Sequence, residues 1–189
     1  MDNIVIFGAP GSGKGTYSAA LVEKFGYSHI STGDVLRAEI REGTQLGRIA
    51  EKYIESGQLI PDDLIIDMLA DVYDTMREGP GVIFDGFPRT IVQAKALKEM
   101  LAARGEKITV TLNLIVSEDV LMERLLNRAK IEGRSDDNEQ TIKNRFNVYY
   151  SQTHPLIEWF RQEGVLSEFT FKGDKDRMIQ EIIEKVESI

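Results

Sequence analysis

The sequence predicts an α/β fold in which a five-stranded parallel sheet is flanked by helices on both faces. Short apolar runs rich in β-branched residues alternate with longer stretches of helical period. The first, third and fourth of these runs are apolar on both faces, as strands buried between two helical layers should be. A glycine-rich turn also joins the first run directly to a helix. A chain of 189 residues fits one compact unit at about 100–200 residues per domain.

Taken in order, the runs at 3–7, 27–30, 82–85, 110–116 and 166–171 read as strands. Helical period covers 14–25, 33–42, 45–56, 61–77, 91–104, 117–130, 137–162 and 176–188. The helices 33–42 and 45–56 are separated by Gly43-Thr44 and closed by Ser56-Gly57. They break the β-α alternation, as does the polar stretch 129–135, so both are expected to be insertions able to move relative to the sheet. There is no repeat, no low-complexity tract and no linker that would divide the chain.

Composition narrows the class of function. With 23 basic and 31 acidic residues the formal charge is −8, which argues against coating a nucleic acid or an anionic membrane. There is no cysteine, so disulfides, thiol nucleophiles and cysteine zinc sites are excluded together, and a reducing, cytoplasmic setting is expected. The N-terminus carries no basic and apolar leader pattern, and no apolar run approaches the roughly 20 residues that span a bilayer.

The turn after the first strand reads Gly8-Ala9-Pro10-Gly11-Ser12-Gly13-Lys14, in the strand–loop–helix context that a P-loop requires. Glycines let backbone N–H groups turn inward around a triphosphate, the helix N-terminus adds its positive end, and Lys14 supplies a mobile charge. Gly15 occupies the position where this motif most often has a hydroxyl, and Thr16 follows one later, so a metal on the nucleotide is expected to be held mostly through waters.

Further motifs follow in order. Gly8–Thr16 read GAPGSGKGT, Ser31–Asp34 read STGD with Arg37 beyond, Asp85–Thr90 read DGFPRT, and Gly133–Asn138 read GRSDDN. Asp85 closes a buried strand, where a carboxylate can hold metal-bound water beside the loop. Arg89 follows the stiff turn Gly86-Phe87-Pro88, which aims a guanidinium fork at a phosphate. Ser31 or Thr32 is a good helix N-cap. Arg124 and Arg128, four apart, share a helix face. Arg134 and Arg145 are eleven apart, which at about 100° per residue returns to one direction after three turns, so both can enter one cleft. Asp136, Asp137 and Glu139 sit where N-cap and first-turn acids belong. His29 and His154 read as structural or surface residues, and Tyr149, Tyr150, Leu156, Trp159 and Phe160 as packing.

Over essentially its whole length the chain resembles the nucleoside monophosphate kinases, most closely the adenylate kinase family in its short-lid form. That resemblance implies a P-loop NTPase fold with a monophosphate-binding insertion at 31–60 and a short lid at 128–137. It implies reversible transfer of the terminal phosphoryl group from MgATP to AMP, giving two ADP. Catalysis would fall to Lys14, Asp85, Arg89, Arg124, Arg134 and Arg145. ATP would be held by Gly11, Ser12, Gly13, Lys14, Gly15, Thr16, Arg128 and the chain near Gly173 and Lys175. AMP would be held by Thr32, Arg37, Gln58, Leu59, Ile60, Gly86, Phe87, Pro88, Arg89, Gln93, Arg134 and Arg145. Mg²⁺ would sit, through waters, near Thr16, Asp34 and Asp85.

Gln93 is the residue most informative about the acceptor base, since a carboxamide can pair with a donor and an acceptor together. By the resemblance, Thr32 and Thr90 agree with adenine. Tyr17 stands where the family usually has Gln, and Gln58 where it often has Lys. With five residues between Arg128 and Arg134 and no cysteine, the lid is not the long zinc-bearing kind, so no structural zinc is expected. A UMP/CMP kinase is the alternative within the group, and a catalytically silent nucleotide sensor the alternative outside it. A monomer without nucleic-acid or membrane partners is expected.

Overall fold

The structure, a computed structural model, describes residues 1–134 and 136–189. Ser135, part of the expected lid, lies outside the described residues. The strands are β1 (Asp2–Gly8), β2 (Ser28–Ser31), β3 (Gly81–Asp85), β4 (Val110–Ile115) and β5 (Leu166–Thr170). They form one parallel sheet in the order β2-β3-β1-β4-β5. The three strands expected to be apolar on both faces are therefore the central ones, and all five residues of β3 are buried.

The helices are α1 (Lys14–Phe25), α2 (Thr32–Glu42), α3 (Gln45–Ser56), α4 (Asp62–Met76), α5 (Ile91–Ala102), α6 (Glu118–Glu132), α7 (Glu139–Val148), α8 (Leu156–Gln162) and α9 (Lys175–Glu187). The alternation of side chains along β1 builds two cores at once. Val5 and Phe7 join Val82, Phe84, Leu97 and Phe160 on one face, while Ile4 and Ile6 join Tyr17, Leu21, Leu112 and Ile182 on the other. Full burial of a side chain such as Phe84 is worth about 1.5–3 kcal/mol. No helix among the described residues is long and apolar enough to cross a membrane.

Most boundaries lie within two residues of expectation, and the exception is instructive. The expected helix 137–162 is instead α7, a π turn at Tyr149–Thr153, and α8. Asn138 caps α7 by accepting from the Thr141 N–H at 2.9 Å, so Asp136 and Asp137 stay outside the helix. Pro155 removes a donor, and the chain accommodates it with one wide turn in which the His154 N–H reaches the Tyr149 carbonyl at 2.7 Å. Tyr150, expected to pack, is instead 48% exposed.

Candidate active site

Because the strands are parallel, their C-terminal ends gather at one edge of the sheet, the edge where ligands of open α/β folds bind. The loop after β1, the end of β2 and the end of β3 meet there in an open cleft of about 630 Å³, within the about 300–1,000 Å³ of small-molecule sites.

The loop turns into α1 at Gly13, whose φ of 98° is left-handed; a Cβ there would stand 2.9 Å from the Tyr17 ring. Tyr17 is thus buried beneath the loop and does not line the cleft, its hydroxyl 3.3 Å from the Met178 sulfur. The Lys14 ammonium donates to the Gly8 and Ala9 carbonyls at 3.2 and 3.3 Å. Part of Lys14 is reached by solvent from the cleft, yet protein closes round its ammonium, and that burial lowers its pKa from 10.5 to about 8. Asp85 partly offsets the shift, while Arg89, Arg145 and Arg128 add to it.

At the end of β3, Asp85 is buried and its carboxylate lies 3.1 Å from His29 Nε2. His29 therefore lines the cleft and is not a surface residue. Its signal in the sequence was its position two before Ser31 on one strand, which puts both on the same face. Ser31 is the N-cap of α2, accepting from the Asp34 N–H at 3.3 Å, which leaves Thr32 to donate to the Asp85 carbonyl at 3.3 Å. Gly86 has φ 82°, and a Cβ there would stand 2.6 Å from Thr32 Oγ1 and 2.9 Å from Arg89 Nη2, so only glycine lets the two approach.

Around this floor stand six arginines, of which Arg37 is taken with the side chamber below and the other five here. Arg89 donates Nε to the Gly86 carbonyl at 2.7 Å. Arg124 donates to the Gly11 and Ser12 carbonyls, both at 3.3 Å, with its guanidinium 4.5 Å from the centre of the Phe171 ring. Arg128 makes a fork on Asp137, Nε at 2.5 Å and Nη2 at 2.7 Å. Arg145 reaches the same carboxylate at 2.8 Å, and Arg134 pairs with Glu132 at 2.6 Å. All five line the cleft. Asp136 and Asp137 are buried counter-charges to this cluster and not the N-cap and first-turn acids expected from their position. A group of arginines meeting in one cleft calls for buried acid nearby, and that is the signal their adjacent carboxylates carried.

Burial lowers the pKa of Arg145 to about 10 and that of Arg89 in the same sense. For Arg128 burial also acts downward, but the hydrogen bond and charge of Asp137 raise it overall. The cleft is thus a set of partly desolvated cations, which an anionic ligand would relieve.

From this cleft a side chamber runs beneath α2 and α3, lined by Thr32, Leu36, Arg37, Gln58, Leu59, Ile60 and Gln93. A second chamber passes Phe87 and Pro88 toward Tyr149. Gly86, Arg89 and Arg145 line all three spaces and so mark their junction. Arg37 is held by Asp34 at 2.7 Å, and that bond keeps the Asp34 carboxyl below its usual range although burial acts upward.

Gln93, 2% exposed, closes the side chamber with both ends of its carboxamide engaged, Oε1 by the Arg89 N–H at 2.7 Å and Nε2 by Asp62 at 2.8 Å. Nothing in the motifs singled out Asp62, which lies in the first turn of α4. Gly11, Gly13, Gly15 and Thr16 line the main cleft, Ser12 is buried beneath it, and Gly173 and Lys175 stand exposed outside all three spaces.

A metal would find no direct cage here, since among the described residues no three carboxylate, imidazole or thiol groups cluster to hold one. Thr16, Asp34 and Asp85 line the cleft together as oxygen donors, which fits a hard cation that arrives on phosphates and keeps much of its water.

The adenylate kinase family model matches residues 6–165. The chain is 58% identical to an adenylate kinase of Bacteroides thetaiotaomicron over 189 residues, which is the whole of both chains. It is likewise 58% identical to one from Phocaeicola vulgatus over the whole of both chains. An adenylate kinase of Parabacteroides distasonis is 60% identical over 164 residues, 87% of this chain and 86% of the relative.

Proposed function

The chain belongs to the adenylate kinase family and transfers the terminal phosphoryl group between ATP and AMP, and on that premise we propose how its residues divide the work. The observation that carries the assignment is the junction at Gly86, Arg89 and Arg145. There the Lys14 cleft meets a chamber ending on Gln93, so two nucleotides would meet phosphate to phosphate.

In this reading ATP lies along the loop 8–14, its polyphosphate taking the loop N–H groups and the ammonium of Lys14, which leaves the Gly8 and Ala9 carbonyls for it. Arg124 steadies the loop through the Gly11 and Ser12 carbonyls while facing the cleft, and Arg128 lies toward the donor nucleoside. AMP lies in the side chamber, its base on Gln93 and its phosphate between Arg37, Arg89 and Arg145.

No general base is needed. A monophosphate with second pKa near 6 is already largely a dianion at pH 7, so one of its oxygens attacks the terminal phosphorus directly. The bond from that phosphorus to the bridging oxygen of ATP breaks, and ADP leaves on each side. The chain's part is alignment and neutralisation of charge, by Lys14, Arg89, Arg124, Arg134 and Arg145.

Adenylate kinases use Mg²⁺ with ATP, and the bound ion would add charge neutralisation at the phosphates, held through waters by Thr16, Asp34 and Asp85. The segment 31–60 serves as the monophosphate-binding insertion and 128–137 as the lid, closing to exclude the water that would otherwise hydrolyse ATP. A single chain carries the whole cleft, so the working unit is a monomer among the cytoplasmic nucleotides.

The UMP/CMP kinase reading is not favoured by the three relatives described above, each an adenylate kinase. Assaying AMP, CMP and UMP as acceptors tests the proposal: AMP should be preferred by a wide margin, and a pyrimidine preference would overturn it. Light scattering behind size exclusion tests the monomer.

A further inference from the structure

Gln93 is symmetric in shape but not in chemistry: rotating its carboxamide by half a turn exchanges an acceptor for a donor pair. The surroundings allow one choice. The Arg89 backbone N–H, which only donates, lies 2.7 Å from Oε1, and the carboxylate oxygen Asp62 Oδ1, an acceptor, lies 2.8 Å from Nε2. Asp62 is itself steadied by the Thr90 hydroxyl at 3.0 Å on the same oxygen, and Thr90 Oγ1 accepts the Gln93 backbone N–H at 3.2 Å, capping α5. In the opposite flip an amide oxygen would face a carboxylate and an NH₂ would face an N–H, both repulsive.

After these bonds the carboxamide retains one N–H and one lone pair on Oε1. A 6-aminopurine presents a ring acceptor at N1 beside an amino donor and matches that pair. A 6-oxopurine presents N1–H beside a carbonyl and needs the reverse.

We propose that Asp62 is a positioning residue for acceptor specificity, which fixes Gln93 in the flip that selects a 6-amino over a 6-oxo purine monophosphate. This rests on the reading of Gln93 as the contact for the acceptor base. Asp62 lines none of the three spaces, so its removal acts through which base is accepted.

The test is kcat/KM for AMP and for inosine monophosphate, with ATP as donor, in the wild type and in Asp62→Ala, Asp62→Asn and Gln93→Ala. Asp62→Ala should narrow the AMP-to-IMP ratio by about tenfold, the worth of one hydrogen bond that no longer opposes the flip. Asp62→Asn keeps the size but can turn either its carbonyl or its NH₂ to Gln93, so it should narrow the ratio in the same direction as Asp62→Ala, and a wild-type ratio there would overturn the proposal. A folded Asp62→Ala that lowers both acceptors alike overturns the proposal. A ratio that Gln93→Ala leaves unchanged overturns instead the reading of Gln93 as the base contact. Should Asp62→Ala not fold, the wild type decides by amide NMR. One Gln93 side-chain proton should exchange slowly with solvent in the ligand-free protein, and fast exchange of both would overturn the assignment.

Discussion

Arg128 and Asp137 form a two-pronged ion pair, Nε and Nη2 on the two carboxylate oxygens at 2.5 and 2.7 Å, and the side chain of Asp137 has no exposed surface. The same carboxylate holds Arg145 at 2.8 Å. Asp137→Asn keeps the shape but leaves two arginines facing each other across a neutral amide. Breaking a buried pair on one side costs about 3–5 kcal/mol, and because Arg128 is itself a quarter exposed we expect roughly 2–4 kcal/mol. A scanning calorimetry midpoint lower by about 5–15 °C is the expected result, and an unchanged midpoint would contradict it.

Lys14→Met should abolish phosphoryl transfer while raising the stability of the ligand-free protein, because it exchanges a poorly solvated charge for an apolar chain of similar length. Turnover and thermal midpoint are read on the same sample. Substantial residual activity would contradict the role given to Lys14.

The stability gained by that substitution has a defined pH dependence. Lys14 has a pKa of about 8 in the folded chain against 10.5 when exposed. Between these values the unfolded wild-type chain binds more protons than the folded one, so wild-type stability rises with pH there. The advantage of Lys14→Met should thus be full below pH 8 and shrink toward pH 10.5. Denaturant titrations of both proteins at several pH values measure it, and an advantage that grows with pH would be the wrong sign.

Binding of ATP should reverse the shift, since a polyphosphate favours the charged ammonium. At about pH 8.5, where much of Lys14 is neutral in the free protein, MgATP should therefore bind with net proton uptake. Calorimetric titrations in two buffers of different ionisation enthalpy give the proton count directly. Net release would rule the mechanism out.

Sequence alone went far in this chain because the strands and the phosphate loop are local features. Apolar β1, β3 and β4, the Gly13 turn and the DGFPRT segment are each legible within a few residues. What stayed hidden depends on distant partners. Asp62 meets Gln93 across 31 positions, His29 meets Asp85 across 56, and Asp137 is an ordinary cap acid until α6 and α7 bring two arginines to it. The break at Tyr149–Thr153 was missed because the apolar period runs straight through it, and only Pro155 spoke against a continuous helix.

Gly47→Ala should loosen the pair of helices that roofs the acceptor chamber. A Cβ at Gly47 would stand 2.1 Å from the Glu39 carbonyl oxygen, so α3 must retreat from α2. We expect a loss of about 1–3 kcal/mol in stability and a raised KM for AMP with less effect on ATP, measurable by calorimetry and steady-state kinetics.

The parallel register pairs Ser31 with Asp85 and Ile6 with Asp85, so the acid of the cleft is level with both neighbouring strands. Side chains along a strand point to alternate faces, and a slip of β3 by one residue would turn Asp85 over and press Phe84 out of the core. Misfolded copies therefore lose their hydrophobic packing and their reactive geometry in the same event. A population of well-folded but wrongly wired molecules is excluded by the pleat itself, and proofreading of the active site is delegated to the sheet.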